Sequence, residues 1–264
     1  EVDGYAKRTF RVITHFHSDH MLDLGKSVRD AVSIVGTEIT LEAVEKLGEK
    51  IPKSKKLPLG YDVTIDLLGE KVTLKRADHI IGAAQVLVRY DGQTVAYTGD
   101  FKNPGKGTEI LSPDVLVIDA TYGDPRMNRY FRDEVEMLFS DYVRDKLTQG
   151  PVAVYAYHGK IQEAMLVLRK YGIDAPFIAD GKVLEITKLA ESRGYSFGTV
   201  LSAKSEEGKE VMRDGWFVVF KHYHEFKKRD GKYYNFALSG WQLDYPFREV
   251  DPKSMVVGYS SHAD

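Results

Sequence analysis

Apolar and polar positions recur along this chain with two periods, one typical of strands and one typical of helices. Runs rich in β-branched and aromatic residues at 10–14, 94–99 and 152–156 predict strands. Apolar residues recur at helical spacing in 135–147 and 161–171, and we expect these stripes to face a core rather than a partner. This mixture predicts an α/β protein.

Groups that suit a metal ion follow several of the predicted strands. The segment HFHSDH, residues 15–20, begins where the strand at 10–14 ends. His79 follows another short apolar run, and Asp100 closes the strand at 94–99. Because ligands bind at strand ends in α/β sheets, these positions are the expected place for a site.

The segment HFHSDH combines three imidazoles and a carboxylate at a spacing that suits two adjacent metal ions. His15 and His17 lie two apart on extended chain, so they point to the same side and are able to hold one ion. Asp19 and His20, from the loop or helix start that follows, are placed to hold a second. Imidazole with carboxylate favours zinc and leaves manganese and iron open, and the chain has no cysteine for a structural zinc site. A catalytic site for metal-dependent hydrolysis is therefore favoured over ordinary hydrogen-bonded histidines.

This His-x-His-x-Asp-His segment, with a later histidine and a later aspartate, resembles the metallo-β-lactamase fold superfamily. The resemblance implies a site for two ions, in which three histidines hold the first, an Asp-His pair holds the second, and one aspartate bridges them. These residues are His15, His17 and His79 for the first ion, Asp19 and His20 for the second, and Asp100 as the bridge. Two cations roughly 3.5–4 Å apart share a hydroxide nucleophile and stabilise the oxygens of a displacement. That chemistry suits phosphodiester hydrolysis.

Two further segments resemble the β-CASP branch of nucleases within that superfamily. LVIDATYGDP, residues 116–125, ends a strand with Asp119, and GYSSHAD ends another with His262. The resemblance implies that His262 completes the shell of the second ion. It also implies that Asp119 either orients this histidine or helps to manage the leaving-group proton, and the sequence leaves both roles open. The expected catalytic residues are Asp19, Asp100, Asp119 and His262.

The interval between these two motifs implies a second domain. About 140 residues separate Asp119 from His262, which is comparable to an average domain. The segments GKIQEA and FALSGWQ within it are similar to parts of the β-CASP insert. The expected fold is therefore α/β, a metallo-β-lactamase αββα sandwich with an inserted α/β β-CASP domain. The expected ranges are 1–122 for the first domain, 123–254 for the insert and 255–264 for the return, and we expect the fold to continue past both ends of the chain.

Asp3 lies twelve residues before His15, where the resembled family carries a strand-end aspartate that supports the metal ligands. Such a carboxylate accepts the free N–H of a ligand imidazole and thereby fixes its tautomer. We therefore expect Asp3 to accept a hydrogen bond from a metal-binding histidine without binding the metal itself. The alternative is a surface aspartate in a turn beside Gly4.

The net charge of −2 argues against a generally basic nucleic-acid-binding protein, so a local basic groove is needed near the metals. One candidate is the segment 220–236, in which lysines alternate with aromatic residues that are able to stack on unpaired bases. The alternative is a charged hairpin that turns at Asp230-Gly231. Lys160, just after Gly159, offers another cation for a phosphate. The candidate substrate contacts are Lys160, Lys227 and Lys228.

The sequence motifs disagree on whether the nucleic acid is DNA or RNA. THFHSDH, YTGDFK and an aspartate at position 119 resemble the DNA cross-link repair nucleases, relatives of Artemis. GKIQEA, SGWQ and SSHAD resemble ribonuclease J and the cleavage-and-polyadenylation endonuclease. The sequence thus favours a nuclease for single-stranded DNA, such as a 5′ exonuclease in DNA repair, with an RNA-processing nuclease as the alternative. A small-molecule metallohydrolase is disfavoured by the long interval, and a noncatalytic scaffold by the retained metal ligands.

The composition predicts the cellular compartment and the type of source organism. No stretch approaches the roughly 18 apolar residues of a membrane span, and no secretory signal opens the chain. The lack of cysteine fits a reducing compartment, so we expect a cytoplasmic protein without a membrane partner. Only three Asn and five Gln accompany 29% charged residues, a composition typical of a thermophilic archaeon. The oligomeric state stays open.

Overall fold

The computed structural model describes residues 1–263, which form two compact units. Unit 1 comprises residues 1–123 and 261–263, and unit 2 comprises residues 124–260. Both units combine helices with strands, and three sheets are present in the described part of the chain. The predicted α/β class is confirmed, whereas the αββα sandwich and the inserted domain stay predictions.

Unit 1 contains two sheets. The first has three parallel strands in the order β1-β2-β3, and the second has five strands in the order β4-β5-β6-β7-β8. The second sheet is antiparallel except for its last pair, β7 and β8, which is parallel. The strands are β1 (Phe10–Val12), β2 (Ser33–Gly36), β3 (Lys56–Pro58), β4 (Thr64–Leu67), β5 (Glu70–Arg76), β6 (Ala84–Tyr90), β7 (Gln93–Tyr97) and β8 (Val115–Val117).

The two sheets of unit 1 share an apolar core. Val12 and Val35 from the first sheet lie in one cluster with Leu74 and Val86 from the second. Each buried aliphatic side chain contributes about 1.5–3 kcal/mol relative to exposure, so this cluster holds the two sheets together. The helices of unit 1 are a short 3-10 helix (Ser18–Met21), α1 (Leu24–Asp30) and α2 (Glu38–Leu47).

Unit 2 is built on one sheet of seven strands in the order β11-β10-β12-β9-β13-β15-β14. All of its strand pairs are parallel except β14 with β15. The strands are β9 (Val152–Ala156), β10 (Phe177–Ile178), β11 (Val200–Leu201), β12 (Val218–His222), β13 (Tyr234–Leu238), β14 (Phe247–Asp251) and β15 (Ser254–Val257). The helices are α3 (Val135–Leu147), α4 (Lys160–Lys170), α5 (Gly181–Glu191), α6 (Glu206–Asp214) and a 3-10 helix (Tyr223–Lys228).

The amphipathic pattern at 135–147 forms α3, as predicted. Val135, Phe139 and Val143 on one face of this helix are buried. Residues 152–170 also form the predicted strand, glycine turn and helix. Gly159 adopts a positive φ of 84°, and its N–H donates to Gln162 Oε1 at 2.8 Å, which caps the start of α4.

The segment 220–236 is not a hairpin. Its flanking strands β12 and β13 pair on opposite sides of β9, and both run parallel to it. Parallel strands cannot be joined by a tight turn, and a 3-10 helix lies in the connection instead. Consequently His222 ends a strand, while His224 lies in that helix.

Among residues 1–263, no helix is both long enough and apolar enough to cross a bilayer.

Candidate metal centre

The strand directions of unit 1 bring the predicted metal ligands to one edge. β5 and β7 are both antiparallel to β6, and β8 is parallel to β7, so these three strands run in the same direction. His79, Asp100 and Asp119 each follow the carboxyl end of one of them. The common direction of β5, β7 and β8 could not be predicted from the sequence, because a strand pattern carries no information on which strands run parallel.

The segment HFHSDH enters from the other sheet of unit 1. After β1 the chain stays extended, and the N–H of Ile13 donates to the carbonyl of Val35 at 2.8 Å. His15 is fully buried at this end, while Asp19 and His20 lie in the following 3-10 helix. The Asp19 side chain is 71% exposed, which leaves it open to solvent and to a substrate.

Four side chains form the first candidate metal group: His15, His17, His79 and Asp100. His17 Nδ1 lies 3.1 Å from the Nε2 atoms of both His15 and His79. Asp100 Oδ2 lies 3.6 Å from each of those same two Nε2 atoms. One oxygen and three nitrogens therefore surround a single point.

Asp19, His20 and Asp100 form the second candidate group. His20 Nε2 lies 3.2 Å from Asp100 Oδ1 and 3.6 Å from Asp19 Oδ2. Asp100 thus directs one carboxylate oxygen toward each group. This is the arrangement that a bridging carboxylate requires.

His262 was expected to complete the shell of the second ion with Asp19 and His20, and that part stays a prediction. Among the described residues it groups with Asp119 and Asp100, and its ring contacts that of His79 at 4.9 Å between centroids. Its Nε2 lies 3.7 Å from Asp100 Oδ2, the oxygen that faces the first group. The backbone explains this position, because the N–H of Ala263 donates to the carbonyl of Phe101 at 2.7 Å and fixes the segment beside Asp100.

The Nδ1 atoms of four of these histidines point away from Asp100 and bond to neighbouring oxygens. A carboxylate or a carbonyl only accepts, so the imidazole must donate to such an oxygen, and the Thr14 hydroxyl accepts from His15 because it donates its own proton to Asp3. The pairs are His20 with Asp3 Oδ2 at 2.7 Å, His79 with the Ser261 carbonyl at 2.8 Å, His262 with Asp119 Oδ2 at 2.9 Å, and His15 with Thr14 Oγ1 at 3.0 Å. Such partners set the tautomer of metal-binding histidines.

These donors fit a divalent cation. Because His15 and His79 already donate through Nδ1, a neutral ring at either position presents a lone pair at Nε2 toward the carboxylate of Asp100. His17 Nδ1 has at most one proton to share between these two nitrogens. Converging lone pairs and a carboxylate repel one another unless a positive charge lies between them, and this donor set suits zinc, manganese or iron.

The pKa values of two candidate ligand histidines, His15 and His20, are shifted by their surroundings. Burial lowers the pKa of His15 well below its ordinary value, and the surrounding histidines lower it further, so this ring is neutral. Burial also acts to lower the pKa of His20, but hydrogen bonds with Asp100 and Asp3 outweigh it and raise the pKa to about 10. A divalent cation at this position competes with that proton.

Asp119 is held as a carboxylate. Burial acts to raise its pKa, but hydrogen bonds from His262 and Thr121 outweigh burial and lower the pKa below its ordinary value. Thr121 contributes both its backbone N–H, at 2.8 Å, and its hydroxyl, at 2.7 Å. The anion is therefore fixed beside His262 and available to stabilise a positive imidazole.

Asp3 lies behind the site and bonds to two other segments. It accepts from the backbone N–H of Thr14 at 2.8 Å, from the Thr14 hydroxyl at 2.6 Å and from His20 Nδ1 at 2.7 Å. The Thr14 hydroxyl in turn accepts from His15 Nδ1. Asp3 therefore orients one histidine of each of the first two candidate groups: His20 directly and His15 through Thr14.

We expect Asp3→Asn to weaken metal binding by about 10- to 100-fold, because the amide is a poorer acceptor for His20 and changes the bonding of Thr14. Competition with a chromophoric chelator measures this affinity. Asp30→Asn is a suitable control, since Asp30 lies on the surface and bonds to Tyr5. Unchanged affinity in Asp3→Asn would show that Asp3 has only a structural part.

Sequence reasoning missed Thr14 and Gly99 at this site. Gly99 has a positive φ of 55°, and a Cβ added there would lie 3.0 Å from Thr14 Cβ. The absence of a side chain lets the backbone before Asp100 approach Thr14 closely. The phrase Thr-Gly-Asp at a strand end is a signal for this geometry that the sequence analysis did not use.

The candidate substrate lysines all lie in unit 2. Lys160 is buried at the start of α4, with its Nζ 3.8 Å from the centre of the Tyr259 ring and 3.4 Å from Glu163 Oε2. Those contacts favour a structural part for Lys160. Lys227 and Lys228 are exposed in the 3-10 helix after β12.

Comparison with curated proteins finds relatives among ribonucleases, although no protein-family model matches the chain. A probable RNase of Methanocaldococcus jannaschii, MJ4, is 29% identical over 210 residues, which cover 67% of this chain and 49% of that protein. The RNase aCSPSF2 of Saccharolobus solfataricus is 28% identical over 206 residues, which cover 67% of this chain and 42% of that protein. The chain therefore spans less than half the length of either ribonuclease.

A shorter relative covers part of the chain at higher identity. It is an uncharacterised protein of Acidianus ambivalens from the lig 3′ region, 61% identical over 137 residues, which cover 52% of this chain and 98% of that protein. Among solved structures, a protein of unknown function from Enterococcus faecalis V583 aligns with 96% of this chain and 70% of its own, with a TM-score of 0.61 and 12% identity. That likeness concerns the fold alone.

Proposed function

We propose that this chain, a member of the β-CASP branch of the metallo-β-lactamase-fold nucleases, hydrolyses phosphodiester bonds in single-stranded RNA with bound divalent metal ions. The observation that carries the proposal is the convergence of three groups of metal-binding side chains on one carboxylate, Asp100. Single-stranded DNA, which the sequence favoured, has no support among these relatives, which are described as RNases.

The proposed ion sites correspond to the first two groups. His15, His17 and His79 would hold one ion, Asp19 and His20 would hold the other, and Asp100 would bridge them. We favour zinc on the chemistry of the ligands, with manganese and iron as alternatives. When bound, such ions activate water and offset negative charge on the nonbridging oxygens of the phosphate.

The chain's own residues supply positioning and proton transfer. His15 and His79 are buried and oriented through their Nδ1 atoms, so little rearrangement of these two imidazoles is needed on binding. Asp119 Oδ2 lies 2.9 Å from His262 Nδ1 and orients the imidazole. His262 Nε2–H then donates a proton to the leaving oxygen as the phosphorus–oxygen bond breaks.

The two structural units suggest the domain assignment. Unit 1 contains the candidate metal groups found among residues 1–263, and we assign it to the metallo-β-lactamase domain, with its two sheets as the inner layers of an αββα sandwich. Unit 2, residues 124–260, is then the inserted β-CASP domain. Its exposed Lys227 and Lys228 are the proposed phosphate contacts.

The RNA preference is tested with RNA and DNA of identical unstructured sequence, each 5′-labelled, and the metal-loaded chain. We expect RNA to be cut at least about tenfold faster, which corresponds to roughly one hydrogen bond to the 2′-hydroxyl. Product lengths also distinguish internal cleavage from stepwise removal of nucleotides.

The Asp100→Asn chain, purified in the same way, controls for contaminating nucleases. Faster DNA cleavage that this variant loses would reverse the RNA assignment and restore a repair-type nuclease. Cleavage of neither polymer by the metal-loaded chain would reject the nuclease proposal.

A further inference from the structure

Three of the eight histidines lie outside the candidate metal centre, and the fold of unit 2 brings all three together. The ring of His222 lies 4.7 Å from that of His158 and 4.9 Å from that of His224, measured between centroids. Two tyrosines join them. Tyr157 contacts His222 and His224 at 5.4 and 5.8 Å, with the rings nearly perpendicular, and stacks on Tyr223 at 5.1 Å and 19°.

The pairing of β9 with β12 explains why Tyr157 and His222, which are 65 positions apart in the sequence, lie together. β9 and β12 are neighbouring parallel strands, and Ala156 pairs in register with His222. Tyr157 therefore leaves the carboxyl end of β9 beside the point where His222 ends β12. Carboxyl ends of parallel strands are the usual place for ligands in such sheets.

Tyr157 is the exposed member of this cluster. This residue is 45% exposed although the rings of His222, Tyr223 and His224 contact it. Because stacked and perpendicular neighbours already hold the Tyr157 ring in place, the ring loses little conformational entropy when a ligand binds. The exposed part of the ring is apolar surface that a flat partner would cover.

Of the aromatic residues in segment 220–236, the structure favours Tyr223 for such a role. Tyr233 is buried, and Phe226 packs on the core beside Tyr155 at 5.3 Å. Sequence position therefore does not identify the stacking residues. Tyr157 joins the cluster only through the pairing of β9 with β12.

The charges of the cluster favour a base over a phosphate. Burial lowers the pKa of His222, and the neighbouring His224 lowers it further, so this ring is neutral at pH 7. Glu225 Oε1 accepts a hydrogen bond from the backbone N–H of His222 at 3.2 Å, which places a carboxylate near the cluster. A metal is also disfavoured, because the candidate metal groups found in residues 1–263 all lie in unit 1.

We infer that Tyr157, supported by Tyr223, His222 and His224, is a stacking platform for an unpaired base of the RNA strand. This inference rests on the proposed nuclease function and names the part of the substrate that unit 2 contacts. The exposed Lys227 and Lys228, in the same 3-10 helix as Tyr223, are placed for the phosphates beside that base. Stacking of this kind tolerates any base, since every base presents a flat face.

The test measures binding separately from cleavage. A fluorescein-labelled 12-nucleotide RNA without secondary structure is titrated with the chain carrying Asp100→Asn, and anisotropy gives the Kd. Adding Tyr157→Ala is expected to weaken binding by about 5- to 100-fold, whereas Tyr157→Phe keeps the ring and the affinity. Tyr90→Ala removes a tyrosine that is 60% exposed in unit 1 and is expected to leave Kd unchanged.

A second readout uses the chain with Asp100 intact. Tyr157→Ala is expected to raise KM for RNA while kcat stays the same, because the lost contact is equal in the ground and transition states. An abasic oligonucleotide of the same length should bind wild-type and Tyr157→Ala chains equally. Thermal unfolding of each variant checks that the fold is intact, and Tyr223→Ala supplies a second substitution in the platform.

The outcomes separate this inference from the proposed function. RNA cleavage with unchanged Kd and KM in Tyr157→Ala would overturn the platform and leave the nuclease proposal standing. Equal losses in Tyr157→Ala and Tyr157→Phe would show that the hydroxyl matters and would also overturn stacking. Failure of the parent chain to bind or cut RNA would reject both.

Discussion

Replacing Asp100 with asparagine is expected to lower turnover about a thousandfold or more. Asp100 belongs to all three candidate metal groups, and its two oxygens face different groups. An amide offers one neutral oxygen in place of two charged ones, so the bridge between the proposed ions is lost. A metal's contribution of several kcal/mol to transition-state stabilisation corresponds to about this change in rate.

The measurement is kcat on labelled RNA, together with metal content by mass spectrometry and the midpoint of thermal unfolding. Asparagine has the shape of aspartate, so we expect the metal-free chain to unfold within a few degrees of the parent. Asp91→Asn is the matched control, because Asp91 is exposed in the turn between β6 and β7 at a positive φ of 48° that asparagine tolerates. Full activity in Asp100→Asn would refute the assigned centre.

Asp119→Asn and His262→Ala are each expected to lower kcat by about 10²- to 10³-fold, and the double variant by no more than the worse single change. The reason is that the two side chains act as one unit through the bond between Asp119 Oδ2 and His262 Nδ1, 2.9 Å long. Asparagine is able to present its NH₂ group to the imidazole, which favours the wrong tautomer.

Single-turnover rates for the four chains of this double-mutant cycle give the coupling between the two residues. Multiplied losses would mean that Asp119 and His262 act independently. Metal content decides a separate question, because loss of one ion in His262→Ala would make this residue a ligand, as the sequence analysis expected. Retained ions with slow chemistry would support proton transfer at His262 Nε2.

Much of the candidate centre was predictable because its signals are local. The spacing of HFHSDH reflects the geometry of extended chain followed by a turn, and the structure brings His15, His17, Asp19 and His20 into the two groups that the spacing suggested. The strand ends at His79 and Asp100 were visible from the apolar runs before them. Burial of alternate positions imposes that pattern on any strand with one face in a core.

The groups that accept hydrogen bonds from the candidate ligand histidines were harder to predict from the sequence. Asp3 was expected from a resemblance alone, and Thr14 and the Ser261 carbonyl were not foreseen. The bond from His79 to Ser261 joins positions 182 apart, and the bond from His262 to Asp119 joins positions 143 apart. Hydrophobic periodicity carries no information on contacts at such separations.

The sequence by itself determined the residue types of the metal centre, the α/β class and the start of helices such as α4, because spacing, burial and turn chemistry act over a few residues. Tertiary structure decided that His262 lies beside His79 and Asp119, that β12 and β13 flank β9 instead of forming a hairpin, and that Tyr157 joins His222 and Tyr223. These outcomes depend on strand order and direction, which are set by the packing of the whole sheet and leave no trace in any short segment of the chain.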